Sequence, residues 1–83
     1  MEKFDSLKPV DQVTVSIWSP EGSCIYKSTN TGFHSIESAV NSAIENANPD
    51  INPEDCVFEI SNETTNVSHR YRLNAHGHLK LII

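Results

Sequence analysis

The sequence predicts an α+β domain, one helix packed on an antiparallel sheet in the order β-β-α-β-β-β. Three observations carry that prediction. Apolar and polar residues alternate in short stretches, the period of a half-buried strand. One stretch instead places Ile36, Ala39, Val40, Ala43, Ile44 and Ala47 at i, i+3, i+4, i+7, i+8 and i+11, a single apolar stripe on a helix. Turn-forming clusters rich in Gly, Pro, Asn and Asp separate these stretches.

Residues 1–11 read as a mobile leader with Pro9 near its end and Phe4 and Leu7 as the side chains able to dock, so the folded domain is expected over residues 12–83. The first strand, over residues 12–19, points Val13, Val15 and Ile17 one way and Thr14, Ser16 and Trp18 the other. Ser19-Pro20-Glu21-Gly22 has proline at the second turn position and glycine at the fourth, as a type I turn requires. A second strand over residues 23–28 completes a hairpin. Tyr26 joins Trp18 on the outer face if Gly22 forms a bulge, and is core otherwise. Thr29-Asn30-Thr31-Gly32 then breaks the sheet.

Ser35 is the expected N-cap of the helix, with Glu37 near the positive end of its dipole. Asn48-Pro49 ends it, and Glu37, Ser38, Asn41, Ser42 and Glu45 give it a wet face. After a turn-rich connection come three strands. The first, residues 56–61, turns Cys56, Phe58 and Ile60 inward. The second, 66–73, turns Val67, His69, Tyr71 and Leu73 inward, and the third, 78–83, turns Leu79, Leu81 and Ile83 inward. A four-residue loop over 62–65 would pair Ile60 with Val67, Phe58 with His69 and Cys56 with Tyr71. A glycine-bulge turn over 74–77 would pair Leu73 with Leu79 and Tyr71 with Leu81. Both hairpins then agree on the core face, and a one-residue slip would break that agreement. How the first hairpin joins this meander is not written in local patterning.

Eighty-three residues make one domain. A chain of this size buries only about 60–65% of the surface it exposes when unfolded, which leaves little room for a deep pocket beside the core. The formal charge of −5 is uneven: residues 1–63 carry −8, and the last twenty, with Arg70, Arg72 and Lys80 and no acid, carry +3. Cys24 and Cys56 form neither a disulfide scaffold nor a CxxC and read as small hydrophobes in a reducing compartment. The N-terminal residues lack the apolar region of a signal peptide, and no run is long enough to span a membrane, so a cytoplasmic location is expected. Asn62-Glu63-Thr64 and Asn66-Val67-Ser68 match the glycosylation sequon but read as turn chemistry.

No catalytic motif is complete. Cys56 and His69 share the expected inner face, where a thiol is ordinarily inert. There is no phosphate loop, nucleophile elbow or telling carboxylate pair, so the chain is not expected to be an enzyme. His76-Gly77-His78, with His69 and His34 apart, falls short of a four-ligand metal site, and neither a metal nor a cofactor is expected. The expected register instead gathers Arg70, Arg72, Lys80 and His78 on the outer face of the meander, with Arg72 opposite Lys80 and Glu59 diagonal to Arg70. Trp18 points outward from the first hairpin.

These features point to a small binding module. Trp18, Arg70, Arg72, Lys80 and Ile82 are the expected contact residues, since exposed aromatics and arginines are enriched where interfaces carry their energy. The expected role is that of a stoichiometric protein-binding regulator or inhibitor, in one version of a nucleic-acid-handling protein. Glu37, Glu45, Asp50, Glu54, Asp55, Glu59 and Glu63 would there offer a negative surface to a basic groove. The alternative is direct binding of single-stranded nucleic acid through the basic outer face. Ile82 and an open strand edge would also serve homodimerisation by strand pairing.

Overall fold

In the computed structural model, which describes residues 7–47, 50–74 and 76–82, the chain is one helix on a five-stranded antiparallel sheet. The elements are β1 (Val13–Trp18), β2 (Cys24–Asn30), α1 (Ile36–Asn46), β3 (Val57–Asn62), β4 (Val67–Leu73) and β5 (Leu79–Leu81), with a short 3-10 turn at Pro53–Asp55. This is the expected α+β order. Phe4, Asn48, Pro49, Ala75 and Ile83, to which the sequence patterning gave places, lie outside the described residues.

The sheet order is β2-β1-β3-β4-β5, every neighbouring pair antiparallel. The first hairpin therefore joins the meander through β1, which pairs Val15 with Ile60 and Ile17 with Phe58. β1 is suited to this place: VTVSIW contains no charge, and both its neighbours bury its backbone groups in ladders. Since β1 runs antiparallel to both β2 and β3, those two are parallel to one another. The connection between them carries α1 over the intervening strand.

α1 begins as expected. The Ser35 hydroxyl accepts the Ser38 N–H at 3.0 Å, and Glu37 lies in the first turn. Ile36, Ala39, Val40 and Ala43 are buried, with Ile44 and Ala47 half-buried at the end of the stripe. They pack on Val13, Val15 and Ile17 of β1, Phe58 and Ile60 of β3 and Tyr71 of β4. Phe58, at the centre, has no exposed surface.

Three expectations are corrected in detail. The β3–β4 pairing is shifted by two residues: Asn62 opposes Val67, Ile60 opposes His69 and Phe58 opposes Tyr71. A shift of two leaves every side chain on its expected face. Val67 and Leu81, both expected inward, nevertheless lie at the ends of their strands and are exposed, outside the core. The cause of the shift is Asn62, which stays in the strand while its side-chain Oδ1 accepts the N–H groups of Thr64 and Thr65. Asn66 closes the loop at φ 65°. The sequon reading as turn chemistry thus has a structural basis at Asn62. β2 is also longer than expected. Thr29 and Asn30 remain in it, the Thr29 hydroxyl meeting that of Thr14 at 2.7 Å, and the sheet ends at Gly32, whose N–H donates to Pro9. Finally, the leader expected over residues 1–11 is part of the body from Leu7 onward. Leu7 is buried in the core. Asp11 is buried too, accepting the Asn62 side-chain N–H at 2.9 Å and the Lys8 backbone N–H at 3.2 Å.

Candidate functional site

The two glycine turns set the positions of the outer-face side chains. At 74–77, the Asn74 N–H donates to His78 and the Gly77 N–H to Asn74, with Gly77 at φ 79°. Leu73 then opposes Leu79, Arg72 opposes Lys80 and Tyr71 opposes Leu81, as expected. The turn at 19–22 repeats the pattern, Ser19 donating to Ser23 and Gly22 to Ser19, with Gly22 at φ 91°. The two hairpins differ after that. The β1–β2 register shifts between Ile17 and Trp18, so Trp18 opposes Cys24 but Ile17 opposes Tyr26. The extra residue, Ile25, returns Tyr26 to the inner face, where it packs against the core. Of the two placements open to Tyr26, the core is the one adopted, even though Gly22 does turn with positive φ.

This register lays the outer face out in rows. One row runs Cys24, Trp18 and Val57 across β2, β1 and β3; extended by one residue it reaches Arg72, which opposes Lys80. The next runs Lys27, Ser16, Glu59 and Arg70, with Ile82 alongside through its N–H bond to the Arg70 carbonyl at 2.8 Å. Strands lie about 4.8 Å apart, so neighbours in a row are within side-chain reach. All five expected contact residues therefore share one face, opposite to the face covered by α1. Trp18, Arg70 and Arg72 come together most closely. With Ser19, Pro20, Gly22 and Val57 they line one open depression of about 360 Å³. Lys80 on β5 and Ile82 just past its end border that group.

Each of these side chains is held differently. The Trp18 indole N–H donates to Glu59 Oε1 at 3.1 Å, which orients the half-buried ring and satisfies its one polar atom. Glu59 Oε2 lies 3.9 Å from Arg70 Nε and 3.5 Å from the Ser68 hydroxyl. Glu59 is directly opposite Arg70, not diagonal to it, because of the two-residue shift. Arg72 and Lys80, both exposed, have no hydrogen-bond or ion-pair partner among the described residues. Like charges facing each other across a strand pair cost on the order of a few tenths of a kcal/mol. On the strands of this face, Lys27, Arg70, Arg72 and Lys80 stand against Glu59, with Glu21 exposed in the turn beside the depression, while Glu37 and Glu45 are exposed on the helix.

Alternation correctly set the faces of Trp18, Arg70, Arg72 and Lys80, but it did not reveal Val57, Pro20 or the Glu59 contact with the indole. Val57 and Glu59 reach Trp18 only once β3 is known to lie beside β1. The seven acids proposed as one negative surface are divided: Glu59 is on the basic face, Glu37 and Glu45 on α1, and Asp50, Glu54, Asp55 and Glu63 in connections.

The cysteines and histidines are also separated. Cys24, read as a small hydrophobe in an alternating run, is exposed on the outer face, because the turn at Gly22 brings it opposite Trp18 on an edge strand. Cys56 is buried, with its thiol directed to the Asn52 carbonyl at 3.4 Å. Burial, aided by the charges of Asp55 and Glu21, pushes its pKa up. His69 opposes Ile60, four residues along the strand from Cys56, so the two do not form a nucleophile pair. His69 packs edge-on to Tyr71 with ring centroids 6.5 Å apart, and His76 and His78 are neighbours at 6.4 Å. Among the described residues no three His, Cys, Asp or Glu side chains are grouped to hold a metal ion, and no helix is long and apolar enough to cross a membrane.

Compared with family models, curated proteins and solved structures, the chain matches none.

Proposed function

We propose that this chain is a non-enzymatic binding module that regulates or inhibits a protein partner by stoichiometric contact through the outer face of its sheet. The observation that carries this reading is the convergence of Trp18, Arg70 and Arg72 on one open depression, with Lys80 and Ile82 beside it. An oriented aromatic flanked by arginines is the composition of an interface centre. The excess of cations on this face favours a partner whose contacting surface is acidic and would speed the encounter. The cytoplasm suits both free thiols, one of them exposed.

Direct binding of single-stranded nucleic acid is the second reading, favoured by the same pairing of an indole with guanidinium groups. It is the weaker one on a structural ground. Platforms that hold single strands stack two or three bases on aromatic side chains. Among the described residues Trp18 is the sole Phe, Tyr or Trp on the outer face, since Tyr26 turns to the core.

Fluorescence anisotropy with labelled single-stranded RNA and DNA, at low and near-physiological salt, separates the two. The protein-binding reading expects no appreciable affinity for bare nucleic acid, and loss of partner co-purification in the Arg70→Ala/Arg72→Ala double variant. Salt-sensitive nucleic-acid binding that the double variant abolishes would instead establish the second reading. Partner co-purification unchanged in that variant would remove the outer face as the site.

A further inference from the structure

We infer that the depression takes an acidic segment of the partner bearing one bulky apolar side chain, which seats on Trp18 and Val57 while flanking carboxylates engage Arg72 and Lys80. This rests on the reading of the outer face as a protein-binding surface and gives that surface a ligand chemistry. The lining of the depression combines apolar and cationic side chains. Trp18, Pro20 and Val57 supply apolar lining and Arg70 and Arg72 cationic lining, with Ser19 and Gly22 of the β1–β2 turn completing it. The indole N–H is already bound to Glu59, so the ring surface it leaves accessible is apolar and gains from apolar contact. At about 360 Å³ the volume lies at the lower end of ligand sites, a space for one side chain and not for a folded element.

The charges specify what surrounds that side chain. Arg70 faces Glu59, but Arg72 and Lys80 are held opposite one another, and among the described residues neither forms an ion pair. An incoming carboxylate relieves that repulsion, and Arg72 has the fork geometry to bind it through two parallel hydrogen bonds. A basic segment would meet the same two cations unfavourably, so selection between segments is built into the pair. Lys27 extends the positive field to the far edge of the sheet.

Trp18 is the chain's single tryptophan, so its emission reports on the site directly. The wild-type protein is titrated at low and near-physiological salt with a short synthetic peptide carrying one phenylalanine flanked by glutamates. Parallel titrations use the lysine-flanked version, the glutamate peptide with alanine replacing phenylalanine, and a single-stranded oligodeoxynucleotide. Anisotropy of labelled peptide is the second readout, and circular dichroism checks that each variant folds. The expected result is a saturable emission change with the acidic phenylalanine peptide, at least about tenfold weaker in Arg72→Ala and in the alanine peptide, and unaltered in Glu37→Gln on the helix. Failure of that peptide to bind at low salt would overturn the inference. So would equal binding of the lysine-flanked peptide, tighter binding of the oligonucleotide, or sedimentation showing that a second copy of the chain occupies the face. If the peptide fails while the Arg70→Ala/Arg72→Ala variant still loses its protein partner, only the ligand chemistry falls. If both fail, the protein-binding reading falls with it.

Discussion

The two cysteines show how little a residue's type says about its chemistry until its environment is known. Cys24 is exposed beside Trp18, and Cys56 is buried with its pKa raised, chiefly by burial. Because the thiolate is the reacting species, an alkylating or disulfide reagent at mildly alkaline pH should modify one thiol rapidly in the native protein. Mass spectrometry should place that modification on Cys24, with Cys56 reacting only on unfolding. Rapid native labelling of Cys56 would contradict its described burial. Asp11 carries a second residue-scale consequence. Its hydrogen bond from Asn62, followed by that from the Lys8 backbone, lowers its pKa below the ordinary 3.8. A carboxylate with a depressed folded pKa stabilises the fold fully above its unfolded value, and that contribution disappears as pH falls through the folded value. Thermal melts of wild type and Asp11→Asn should therefore differ by a constant amount near neutrality. The gap should begin to close as pH falls below about 4 and vanish only once pH is below the depressed folded value, where the wild-type carboxylate is neutral as well.

At the scale of elements, caps and turns act through backbone geometry that single substitutions can test. Ser35 satisfies an otherwise unpaired N–H at the start of α1, and Ser35→Ala should cost about 1 kcal/mol. Gly77 presents a different case. A Cβ there would meet no atom within 4 Å, so the cost of Gly77→Ala comes from its φ of +79° alone, about 1–2 kcal/mol. Denaturant midpoints should rank both variants below wild type. Only Gly77→Ala should also disturb the Arg72 and Lys80 juxtaposition, because the β4–β5 register depends on that turn. β2 teaches the complementary lesson. Its turn matches the one at Gly77, but one added residue after Cys24 reverses the face of everything that follows.

Across the whole molecule, β1 connects both halves. It pairs with β2 on one side and β3 on the other while its inner residues lie beneath α1, so no part of the sheet retains its core if β1 leaves. Unfolding should accordingly be a single transition, with Trp18 fluorescence and far-ultraviolet circular dichroism coincident. A domain of 83 residues holds about 4–12 kcal/mol of stability on per-residue averages. Phe58→Ala removes a fully buried ring from the centre of the core and should lose about 3–5 kcal/mol, a large share of that total. Charge is also organised at this scale: the cations gather on the open sheet face, whereas Glu37 and Glu45 stand on the helix that covers the other.

Local patterning alone determined the helix stripe with its Ser35 cap, the inward and outward faces of β1, β3, β4 and β5, and the Arg72–Lys80 pairing across a glycine turn. Each depends on neighbours within a few positions along the chain or across a short hairpin, where periodicity and turn chemistry dominate. Tertiary structure decided what those rules leave open. The placement of β1 beside β3, which brings Trp18 to Val57 and Arg72, joins segments distant in the chain through backbone ladders indifferent to side-chain identity. The face of Tyr26 turned on one bulge, and the β3–β4 register on a single asparagine that folded its side chain over the loop behind it. In both cases competing arrangements keep nearly the same apolar pattern, so packing against the rest of the molecule is what selects between them.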